Sequence, residues 1–167
     1  PTTPTSLPGR IRHGLKHHAP FTFGGALLGA GVLVAILYSD ISRETSGKLF
    51  AVFHPLHVFR SAIASAGLYR RYAKRGMGST LIVGVVSAVG VGTLSDSLIP
   101  YLGELLFGAG DEHVHAHAHI GIIDWWWAVG PAALAGALLG FVLPKTTTPH
   151  AGHVLPSTAA SLFHLAM

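Results

Sequence analysis

Cysteine is absent from the sequence. Disulfides and thiolate-bound metals are therefore excluded, and imidazole and carboxylate remain as the strong ligands for any transition ion. Charge is also scarce, with Asp, Glu, Lys and Arg making up 11% of the chain, where a soluble domain carries roughly 25%. Glycine-rich phosphate loops of the Walker type are missing as well, so energy for any transport would have to come from a gradient or a partner. What fills the 167 residues is apolar: 50% of them are hydrophobic and the mean hydropathy is +0.51. This material falls into runs of about 20 residues, each long enough to cross a hydrocarbon core. The expectation is an all-α polytopic membrane protein of about five transmembrane helices that pack through small-residue faces. A sequence pI near 9.8 would suggest nucleic acid in a soluble protein. Here membrane topology accounts for the basic residues, and no nucleic-acid partner is expected.

Residues 1–19 read as a cytoplasmic N-terminal segment without an apolar core, hence without a cleavable signal peptide. Residues 20–167 read as a single helical bundle. Helix boundaries are expected at about 21–38 with Pro20 as first residue, at 49–69 with Pro55 in its first turns, and at 79–99 stopped by Pro100. A fourth helix at 125–143 opens on Trp125-Trp126-Trp127, an interfacial belt, with Asp124 as its cap. A last segment, 146–167, is short for a span. The loop at 101–124 is rich in histidine. Alternating helices place Arg10, Arg12, Lys16, Arg70, Arg71, Lys74, Arg75 and Lys145 on one side and only Arg43 and Lys48 on the other. By the positive-inside rule the N-terminus is cytoplasmic and the histidine-rich loop lies outside, in a plasma or inner membrane.

Three groups of residues are candidates for chemistry. His54 and His57 lie three apart on one face of the second helix, and Arg60 and Ser61 continue that face. Ionisable groups inside a span are costly, so they usually face the bundle interior and carry function. On the third helix Gly84, Ala88, Gly92 and Asp96 recur every four residues, a close-packing face to which Asp96 belongs. Packing of the two faces brings Asp96 level with His54, His57 and Arg60, either as a structural ion pair or as a His/Asp metal site. The second group is His113, His115, His117 and His119, whose alternation puts four imidazoles on one side of an extended chain. The third comprises His17 and His18 before the first helix and His150 and His153 at the start of the last. His153, Ser157 and His164 then follow at helical spacing, so that histidines stand at both ends of the bundle.

His57 with Ser61, Asp96, and His150 with His153 are similar in type to the ligands of intramembrane zinc hydrolases of the ceramidase and adiponectin-receptor kind. That resemblance implies a zinc-activated water. The order of serine and histidine is reversed here, the final pair is one residue closer, and five spans stand where that family has seven.

Taken together these features predict an integral membrane protein that binds, and moves, a divalent transition-metal ion of the zinc, nickel or copper class, zinc foremost. The outer loop would collect the ion and His54, His57 and Asp96 would hold it. The alternatives are an intramembrane metal-dependent hydrolase and a structural subunit of a larger membrane complex. Expected partners are the lipid bilayer, the ion, and a second copy or a larger assembly.

Overall fold

The computed structural model describes residues 7–39, 42–73, 76–107, 119–144 and 151–166. The described residues are helical, without strands. The helices are α1 (Leu7–Tyr38), α2 (Arg43–Ala73), α3 (Met77–Thr93), a π turn (Leu94–Leu98), α4 (Ile99–Phe107), α5 (Gly121–Asp124), α6 (Trp126–Val142) and α7 (Ala151–Leu165). Two stretches, Arg43–Ala73 and Met77–Leu106, are long and apolar enough to cross a membrane, and Phe23–Val32 and Trp126–Val142 are shorter apolar helices.

Several helix ends differ from expectation, and most have a local cause. α2 begins at Arg43, so the stretch expected to be a loop forms its first turn. Ser42 Oγ accepts the Thr45 amide at 3.2 Å, which satisfies one of the free donors of a helix start. Glu44 then sits at the positive end of the helix and pairs with Lys48 at 2.6 Å. Pro55 therefore lies well inside α2, and Pro20 likewise lies inside α1. Asp124 ends α5 and does not cap α6, whose first flanking residue is Trp125 and has no side-chain cap.

Pro100 was expected to stop the third helix, yet helix continues through it to Phe107. The π turn explains this. Its wider register carries the Ile99 amide to the Leu94 carbonyl, and the next amide in that register would reach Ser95 but is missing at proline. Ser161 Oγ of α7 lies 3.0 Å from the freed Ser95 carbonyl and 2.9 Å from the Ser157 carbonyl of its own helix, so its one proton is shared between the two. A backbone defect in one helix is thereby partly compensated by a side chain of another.

α2 is the central helix and packs on α3, α6 and α7. Its contacts with α3 and α6 are close because the facing residues are small. Val58, Ala62 and Ala66 of α2 meet Ala88 of α3 and Val129, Ala133 and Ala137 of α6 in one buried core. Gly136 and Gly140 sit directly against the backbone carbonyls of Phe59 and Ile63. Thr80, Gly84, Ala88, Gly92 and Asp96 are all buried, so the face expected from spacing is the one that packs. A second core, Phe50 with Ala159, Ala160 and Phe163, joins α2 to α7. Ile82, Val86 and Val91 of α3 and Leu134 and Val142 of α6 point outward and exposed.

Candidate functional site

The register of α2 on α3 sets the site. Gly92 is so near Val58 that a Cβ would meet its Cγ2 at 2.8 Å, and one turn further along α3 Asp96 arrives level with His54 and His57. Nδ1 of His54 lies 3.0 Å from Asp96 Oδ2, and Nδ1 of His57 lies 2.8 Å from the same oxygen. The other oxygen, Oδ1, accepts Ser95 Oγ at 2.6 Å and Ser157 Oγ at 2.9 Å. Asp96 is fully buried, so this carboxylate binds side chains of α2, the π turn and α7 at one point. π turns are frequent at functional sites. Here the turn carries Ser95 and Asp96 on adjacent residues while both bond into the same network.

A carboxylate only accepts, so each Nδ1 bonded to Oδ2 carries its proton, and a ring that is neutral bears its lone pair on Nε2. His54 stacks on Phe50 with ring centroids 5.1 Å apart. Phe50 in turn contacts Trp125 at 5.1 Å and the edge of His164 at 5.5 Å. His164 is buried, and its ring lies 6.2 Å from that of His119, which sits 3.5 Å from the Asp124 carboxylate. Rings therefore follow one another from partly exposed His119 down to His54.

The structure thus brings together His54, His57 and Asp96, with His164 and His119 close by. Arg60 is half-buried and is not among the partners of Asp96. In the register just described it stands a turn beyond His57, past the level of the carboxylate. Ser61, on the same face, is also half-buried and outside the network. His113, His115, His117 and His150 lie outside the described residues, as do the side chains of His17, His18 and His153. Among the described residues, no three His, Asp or Glu side chains form a ready-made metal cage. The 2.8 and 3.0 Å separations are hydrogen-bond distances, whereas donors held tetrahedrally by zinc at 2.0–2.1 Å stand roughly 3.3 Å apart.

Phe50 and Gly121 were not singled out from the sequence. Ser95 adjoins Asp96 but carries no spacing signal. Phe50 stands one turn before His54, at helical spacing, and reads equally well as an ordinary core residue. No protein-family model matches this chain, and no curated protein or solved structure is significantly similar to it.

Proposed function

We propose that this is a helical membrane protein that binds a divalent transition-metal ion, zinc foremost, at the His54 and His57 pair, with Asp96 supplying the compensating charge, and that it conducts the ion across the bilayer. The observation that carries this reading is the convergence of two imidazoles from one helix turn on a single buried carboxylate of the neighbouring helix. Polar groups of this kind are expensive inside a span and rarely persist there without a role. The outward apolar faces of α3 and α6 suit contact with lipid. The chain of rings from His119 to His54 supports delivery from the outer loop. His113, His115 and His117 are assigned to collecting the ion, and His17, His18, His150 and His153 to the opposite end of its route.

Calorimetric titration of Zn²⁺, Ni²⁺ and Cu²⁺ into the detergent-solubilised chain tests the binding. His57→Ala should weaken affinity by more than the 10 to 100-fold typical of residues that merely support a ligand. The double variant His115→Ala/His117→Ala should lose less, since neighbouring imidazoles replace those removed. Binding should also fall as pH drops through about 6.5, because a ligating imidazole must be neutral. Retention of binding by His57→Ala, with loss in the loop variant, would show that the buried histidines only tie helices together. The chain would then be better read as a subunit of a larger complex, a role its small-residue seams also suit.

Orientation is tested by single cysteines at Ser6 and Ala116. The positive-inside assignment expects an impermeant thiol reagent to label position 116 from outside and position 6 only after permeabilisation. Labelling of both from one side would overturn it.

A further inference from the structure

The His/Asp cluster is shut away from solvent. His54 is 1% exposed, His57 4% and Asp96 0%, so an ion enters or leaves this pair only if a covering element moves. On the outer side the cover is short. A Cβ at position 121 would run into Nε2 and Cδ2 of His54, so the buried glycine of α5 lies directly on the ring. Trp125 lies beside it against Phe50, which stacks on the same ring. We infer that α5 is the outer gate of this site, closed in this structure, and that the turn hinges at Trp125 and lifts off His54 to pass the ion. The inference rests on the metal-binding reading above and adds how the site is opened.

The backbone of α5 is built to move as a unit. Its turn is bounded by Ile120 at φ −97°, ψ 108° and by Trp125 at φ −127°, ψ 38°, neither of them helical. The amides of Ile123 and Asp124 bond to the Ile120 carbonyl and that of Trp125 to Gly121, while α6 begins its own ladder at the Trp125 carbonyl. The two sets of bonds meet at Trp125. Rotation there swings the turn and leaves both ladders whole, whereas parting α2 from α3 would break the bonds from His54 and His57 to Asp96. What holds α5 down is packing, of Ile122 and Trp125 against the core of Val58, Ala88 and Val129. Elements held by few apolar contacts open at the least cost, and gates are drawn from them. Gly121 suits the same role. Its bare backbone sits close enough to exclude water from His54, and it keys no side chain into the cluster that would hold the turn shut.

The chain has no cysteine, so a thiol introduced by His54→Cys reports access to the covered position directly. In detergent micelles without metal, a small methanethiosulfonate reagent should modify it slowly. Adding Ile122→Ala, which removes packing that holds the turn down, should speed modification about tenfold or more. Ile122→Val, the milder change, should give a smaller increase, and Leu134→Ala on the exposed side of α6 should give none. Equal rates in all four proteins, or as large an increase with Leu134→Ala, would overturn the inference. Zinc kinetics with His54 in place give the second arm, by stopped-flow mixing of the full chain with ZnCl₂. Ile122→Val should raise the association and dissociation rates by the same factor and leave Kd unchanged, because a gate speeds entry and exit alike. Unchanged rates in a protein that binds zinc would overturn the gate while the metal-binding reading stands. A wild type that binds no zinc would remove that reading, and the gate with it.

Discussion

Asp96→Ala is expected to destabilise the bundle by about 3–5 kcal/mol, the range for removing one member of a buried polar or ionic cluster. The substitution deletes the acceptor of four hydrogen bonds at once. Two imidazole N–H groups and two hydroxyls from three helical segments are left facing a small methyl group in a region shielded from water. Each buried donor left unsatisfied costs about 1–3 kcal/mol, and rotation of the hydroxyls toward backbone carbonyls recovers part of that. Asp96→Asn should lie between alanine and wild type, because one side-chain oxygen is kept while the other becomes a donor that confronts donors. Unfolding in mixed micelles, followed by circular dichroism against increasing dodecyl sulfate, measures both variants. A double-mutant cycle of Asp96→Ala with Ser157→Ala should show a coupling of about 0.5–3 kcal/mol, since Ser157 loses its acceptor in the first variant. An alanine variant that unfolds at the wild-type midpoint would mean that the carboxylate is not the tie between α2, the π turn and α7.

The second large effect is expected at the seam between α2 and α6. A Cβ at Gly136 would collide with the Phe59 carbonyl and approach the Ala62 Cβ, so Gly136→Val pushes two backbones apart. Overpacking a close-fitted core typically costs 1–3 kcal/mol, and about 3 kcal/mol or more is expected here because the obstacle is backbone, which cannot change rotamer. Leu134→Val on the exposed side of α6 should stay within about 0.5 kcal/mol of wild type. The damage should extend to the site. α2 lies between α6 and α3, so its displacement shifts His54 and His57 relative to Asp96, and under the proposed metal-binding function zinc affinity should fall alongside stability. A Gly136→Val protein with unchanged stability would show that the close approach of these helices is not required.

The packing faces were legible before any fold was known, because helical periodicity and residue size are local properties. Gly84, Ala88, Gly92 and Asp96 share a face by spacing alone, and any bundle that buries the glycines buries the aspartate with them. His54 and His57 were legible for the same reason. Arg60 shows where that reasoning ends. Its spacing marks it as part of the same stripe, but membership of a stripe does not say how far along the neighbouring helix a partner stands. The Val58 to Gly92 contact decides that, and it leaves Arg60 beyond the carboxylate. Ser42, a serine three residues ahead of the amide it caps, was passed over as a helix start. The apolar run had suggested a later start for the helix, yet a capped polar turn can precede the buried one.

Sequence alone therefore determined that the chain is helical, which faces pack and which polar groups they carry, since each follows from composition and from a period of 3.6 residues. Tertiary structure alone decided which oxygen of Asp96 each histidine meets, that Ser157 of α7 completes the cluster, and that Gly121 lies on the free nitrogen of His54. It also decided that Pro100 is accommodated in a helix by a π turn and the Ser161 hydroxyl. These depend on axial register and on contacts between segments distant in the chain. They are set by the summed packing of small residues across several helices, and the local pattern around any one residue does not contain them.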